Sequence, residues 1–156
     1  EAGVAILAES DSTIKALRDV SLAQLAEHQH LLSEVVEKRC RFIIEEDQRV
    51  LDLAEALTAG DADRLNELMA ASYAGARDLY EIGVPAMESM MKAMVSGPGV
   101  VGARQAGAGF GGCMVAVVNR DQVDAFSDHV RYTYEAETGI QPHVFAVEAA
   151  PGAGVL

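Results

Sequence analysis

From Ser21 to Val95 the apolar positions recur at helical spacing, and beyond Ser96 the pattern changes. Ser21 is followed three residues on by Gln24, a spacing at which each side chain satisfies the other's free backbone donor. Leu22, Leu25, Ala26, Leu32 and Val36 then give a first predicted helix one buried face. After Lys38, Ile43, Val50 and Leu57 recur every seven residues with Leu53 and Ala54 between them. They predict a second helix, which Gly60 stops as a left-handed cap. Asp61 can cap a third, carrying Leu65, Leu68, Met69, Ala76 and Leu79 inward. Gly83 breaks that one, and Pro85 stands where a new first turn tolerates proline. The short fourth helix puts Met87, Met90, Met91 and Met94 on one face, a methionine stripe that reads as core. Residues 1–12 carry little pattern and read as a poorly determined leader.

After Ser96, Gly97-Pro98-Gly99 forms a turn cluster. Residues 100–105 and 113–118 read as strands, the second buried centrally because its run is apolar on both faces. A helix over 121–137 follows, with Val123, Phe126, Val130 and Tyr134 inward and Gly139 ending it. Residues 143–149 read as a last strand. Helices first, then strand, loop, strand, helix and strand, indicate one α+β domain over 1–156. Its architecture is a small, mainly antiparallel sheet with helices packed on one face.

The chain of 156 residues carries a formal charge of −12, which repels a phosphate backbone and an anionic membrane surface. Nucleic acid and membrane are therefore not expected partners, and no apolar run is long enough to span a bilayer. An anionic ligand would have to be held by local donors, because the global field opposes it. Cys40 and Cys113 stand far apart in apolar surroundings and read as reduced core thiols of a cytoplasmic protein. The run Glu45-Glu46-Asp47 reads as a solvated face, since consecutive helical residues point apart. His28, His30, His129 and His143 form no pair at metal-ligand spacing. The chain opens Glu1-Ala2-Gly3 without an initiator Met, which suggests a longer polypeptide.

The chemistry concentrates in Gly107-Ala108-Gly109-Phe110-Gly111-Gly112. The string contains G-x-G-x-x-G, yet a dinucleotide site needs a helix after it, and Cys-Met-Val-Ala-Val-Val follows as a strand. No Gly-Lys-Ser/Thr follows either, which excludes a P-loop. Four glycines in six positions can take positive φ, approach a ligand closely and turn N–H groups into an anion-holding nest. The alternative is a glycine-relieved hairpin that binds nothing. Gly107, Ala108, Gly109, Gly111 and Gly112 are the candidate phosphate- or substrate-facing positions, and Arg104 is either a polar contact or a structural anchor.

The segment from Pro98 through Cys113 resembles the third signature motif of the galactokinase branch of the GHMP small-molecule kinases. Further strings agree in order: Leu17-Arg18-Asp19-Val20; Arg39 through Val50 with Arg41, Glu46 and Arg49 in register; Ala59-Gly60-Asp61; Leu68-Met69 through Ser72; Arg77-Asp78; Tyr80-Glu81-Ile82; and Glu148 through Gly154. The resemblance covers about residues 13 to 154. It implies a ferredoxin-like C-terminal domain of a kinase that transfers the γ-phosphate of ATP to the anomeric hydroxyl of galactose. It also implies ATP and Mg2+ held mainly by an N-terminal half of the same polypeptide, absent here, without which this part is inactive. No Pro-Gly-Ser-Ser run and no acidic residue in the glycine loop replaces that half, so no catalytic residue and no metal ligand is assigned to this chain. Asp78 and Glu81 read as capping or surface residues.

Three departures bear on the substrate. Gln105-Ala106 stands where the family usually has Met-Thr, Gly83 through Glu88 replaces a Ser-Cys-Pro-Glu-Leu-Asp-like pattern, and Tyr73 stands where His is common. A different sugar is one alternative. A non-catalytic module for an anion or small metabolite is another, and docking of the methionine face on a partner is a third.

Overall fold

The computed structural model describes residues 1–150 and 152. Within them the first residues, expected to be poorly determined, form a helix, α1 (Ala2–Ser10). Its residues are apolar almost all round, so it shows no periodicity, yet it is docked firmly. Leu7 is buried with Ile14, Val20, Leu25, Cys40 and Ile44. A Cβ at Gly3 would stand 2.2 Å from Cys40 Sγ.

The expected first helix is split in two. α2 (Leu22–His28) starts with the capping box, Ser21 Oγ accepting the Gln24 N–H at 3.2 Å and Gln24 Oε1 accepting the Ser21 N–H at 2.9 Å. A 3-10 turn then intervenes, and Ser33 caps a new helix, α3 (Glu34–Ala59). Helix α3 buries Cys40, Phe42, Ile44 and Ala56, whereas Val50 and Leu57, expected inward, are each 57% exposed. The buried positions are set by what α3 meets, chiefly α2 and α4 (Ala62–Asp78), and not by the heptad. Local signals at the next boundary hold: Gly60 ends α3 at φ 67°, and Asp61 Oδ1 accepts the Arg64 N–H at 2.9 Å. Helix α4 buries Leu65, Leu68, Met69 and Ala76, and its Gly75 lets the Phe42 ring approach closely.

α5 (Pro85–Val95) opens on proline and buries Met87, Met91 and Met94. Its methionine face packs with Tyr73, Ala103, Phe126, Val130 and Tyr134 into one core cluster. β1 (Val100–Ala106) and β2 (Cys113–Val118) pair antiparallel, with Ala103 opposite Ala116 and Arg104 opposite Val115. α6 (Val123–Thr138) turns Phe126, Val130 and Tyr134 inward. Met114, Ala116 and Val118 meet the core formed with α5 and α6, and α4 lies along β1. The α+β class holds.

Two expectations about the strands do not. β2 is not buried on both faces, because Cys113, Val115 and Val117 are exposed. Cys113 is accordingly a surface thiol, and only Cys40 is a core one. Residues 143–149 form no strand among the described residues, so the sheet has two strands. Val144, Phe145 and Val147 have the composition of a strand but no ladder, and Phe145 and Val147 stand in solvent. The string ending in Pro151 and Gly154 runs into residues outside those described.

Candidate functional site

Five of the six residues joining β1 to β2, all but Ala108, adopt backbone that side chains rarely tolerate. Gly107, Gly109, Gly111 and Gly112 have φ of 93°, 84°, 124° and 100°, and Phe110 has φ 58°. Glycine reaches these angles at no steric cost; for Phe110 the left-handed region is strained. What holds Phe110 there is a hydrogen bond from its N–H to the Ile82 carbonyl, 2.8 Å long. Gly109 sits so close to the same residue that an added Cβ would be 2.5 Å from Ile82 Cβ. At Gly107, Gly111 and Gly112 an added Cβ would meet nothing within 4 Å.

The loop therefore has one anchored point and an open rim. Among the described residues, the N–H groups of Gly107, Ala108, Gly109, Gly111 and Gly112 donate to no protein acceptor. Such free donors in a tight glycine-rich turn, all but Ala108 on residues of positive φ, suit an anion. Ile82 was legible only as part of the Tyr80-Glu81-Ile82 string. Its contribution is a backbone carbonyl, which residue type does not reveal.

Arg104 ends up on the other side of the question left open for it. Its guanidinium lies 3.1 Å from Glu46 Oε1 on α3, and its Nε–H donates to the Gln105 carbonyl at 3.1 Å. Glu46 is the hub: Ser72 Oγ–H on α4 donates to it at 2.6 Å and Arg49 Nε–H at 2.8 Å. Burial penalises the Glu46 charge most, yet the hydrogen bonds from Ser72 and Arg49 and the Arg104 and Arg49 charges outweigh it. Its carboxyl is held below the usual glutamate range. The expected solvated acidic face is thus broken, since Glu46 turns inward while Asp47 remains exposed. Glu45 joins the same group at 3.3 Å from Arg49. One α3 carboxylate thereby ties α4 and the base of the glycine loop together.

The three departures differ in where they lie. Gln105 is buried, on the Ala103 side of β1. Tyr73 is in the core with its hydroxyl lacking a hydrogen-bond partner. Burial first, and then the Glu88 charge, pushes its pKa up to about 12. Gly83, Val84, Pro85 and Glu88 line a shallow hollow of about 550 Å³ with Arg77 and Lys92. Ala106 alone is exposed beside the loop. Asp78 and Glu81 are surface residues paired with Arg77 and Arg39.

Similarity to known proteins follows the same segments. The family described as GHMP kinases C terminal matches residues 53–136. The galactokinase of Roseiflexus sp. (strain RS-1) is 38% identical over 154 residues, 99% of this chain and 39% of that protein. The crystal structure of Lactococcus lactis galactokinase complexed with galactose matches with a TM-score of 0.79 at 31% identity, covering 90% of this chain and 37% of that one. The chain thus spans well under half the length of these relatives.

Proposed function

On the premise that the chain belongs to the GHMP kinase C-terminal family, we propose that it is the C-terminal part of a larger ATP-dependent kinase that phosphorylates galactose. The γ-phosphate of ATP passes to the anomeric hydroxyl of the sugar: a bond forms between that oxygen and phosphorus, the hydroxyl proton is released, the bond to the β-phosphate oxygen breaks, and ADP leaves. The observation carrying this reading is the glycine loop, whose N–H groups are unpartnered among the described residues and whose Gly107, Gly111 and Gly112 are open. Similarity to a galactokinase over almost the whole chain supports it, as does likeness to a galactokinase structure that holds galactose.

Phosphoryl transfer asks for positioning and for neutralisation of charge spread over phosphate oxygens. Backbone donors supply both without a mobile side chain, and they act locally against the overall charge of −12. Gly107, Ala108, Gly109, Gly111 and Gly112 line the phosphate and sugar site. Arg104, neutralised by Glu46, anchors the loop's base and does not reach the ligand. No group of three or more His, Cys, Asp or Glu able to hold a metal lies among the described residues. Mg2+, with most of the ATP contacts, is assigned to the rest of the polypeptide. No described helix is long and apolar enough to cross a membrane.

ADP release by the full-length polypeptide with Mg-ATP, tested with galactose and then with related sugars, decides the matter. Galactose-dependent release is expected. Release only with another sugar keeps the kinase and changes its substrate, with Ala106 as the first residue to examine. No release with any sugar leaves a metabolite-binding module in its place.

A further inference from the structure

The strained apex of the glycine loop rests on a single turn, residues 79–82, and that turn is gripped by one side chain. Arg39, two helical turns before Glu46 on α3, donates through one guanidinium nitrogen to the Leu79 carbonyl and through the other to Glu81 Oε2. Its guanidinium also lies over the Tyr80 ring, 5.6 Å from the centroid. Three consecutive residues of the turn are thus touched by one planar fork, a grip lysine cannot reproduce. The next residue, Ile82, accepts the Phe110 N–H and blocks any side chain at Gly109. The turn is itself unusual, because Glu81 has φ 57° without being glycine.

We propose that Arg39 is a positioning residue for the glycine loop, acting through the 79–82 turn on the Phe110 N–H and so on the direction of the flanking glycine donors. Arg39 is half-buried and its ion pair with Glu81 is largely solvated, so its worth to overall stability is small. Its worth to geometry is not, since a displacement of about an ångström at a phosphate cradle is enough to slow transfer roughly a hundredfold. That consequence for transfer rests on the kinase reading above; the mechanical link between Arg39 and the loop does not.

Amide hydrogen exchange on the full-length polypeptide separates the two. In Arg39→Ala the Phe110 amide is expected to exchange about tenfold faster while the Leu25 and Val130 amides, deep in the two main cores, keep their wild-type rates. Arg39→Lys is expected to fall between wild type and Arg39→Ala. An unchanged Phe110 rate in Arg39→Ala overturns the proposal, and so does a rise shared equally by Leu25 and Val130, which marks a merely structural residue. If the wild type turns over a sugar, Arg39→Ala is expected to lower kcat about tenfold or more with a smaller change in sugar KM. A wild type that phosphorylates nothing removes the kinase reading and leaves the exchange result standing by itself.

Discussion

At the scale of single residues, the loop's glycines are not equivalent. Gly109 and Gly111 both have positive φ, but only Gly109 is pressed against another residue, Ile82. Gly111→Ala therefore meets backbone strain alone, at a φ of 124° outside the left-handed well, and is expected to cost roughly 1–3 kcal/mol. Gly109→Ala adds overlap with Ile82 to such strain and is expected to cost roughly 1–3 kcal/mol more, or to free Phe110 from the Ile82 carbonyl. Urea unfolding midpoints of the two variants check the order, which an isolated glycine count could not supply. The sequence shows four glycines; it does not show which one touches a neighbour, because Ile82 lies far away along the chain. Tyr73 illustrates the same limit. Its replacement of a common His is visible in the sequence, but that the ring is buried with its hydroxyl beside the Glu88 charge is a matter of packing.

At the scale of elements, what local chemistry dictates was legible and what partners dictate was not. Gly60, Asp61, Pro85 and the Ser21–Gln24 box end or begin helices where expected, because each acts on backbone groups within a turn of itself. The split before α3 was missed because Ser33 competes for a cap within an otherwise continuous apolar pattern. The strand expected at 143–149 failed because alternation supplies a face, whereas a strand also needs a neighbour to pair with. The Glu46 hub was hidden in the same way, its three partners coming from α3, α4 and β1. Its pH dependence follows from the sign of the shift. Because the folded-state pKa is lowered, the stabilisation is present above the ordinary value of 4.5 and is lost as pH falls through the lower folded one. Glu46→Gln is expected to be less stable than wild type by roughly 2 kcal/mol at neutral pH, since Arg49 and Arg104 lose their charge partner in a half-buried site. The gap should close at acid pH below the lowered folded-state pKa of Glu46, where both proteins carry an uncharged side chain. Denaturation at the two pH values measures it, and a constant gap would move the stabilisation elsewhere.

At the scale of the whole molecule, three clusters of core hold one α+β unit, and its glycine loop rests on a turn and on a helix, both far from it in sequence. The unit matches less than half of each longer kinase relative. Family and fold were legible because the motif strings are collinear, and the loop's role remained an expectation because a nest of N–H groups has no residue-type signature. The central claim is that this loop faces the phosphate and sugar. It is tested most directly by amide exchange across residues 107–112 of the full-length polypeptide, with and without Mg-ATP and galactose. The account expects exchange at Gly107, Ala108, Gly109, Gly111 and Gly112 to slow on ligand addition while α1 and α2 are unchanged. Ligand-dependent turnover with no change at these amides would contradict it.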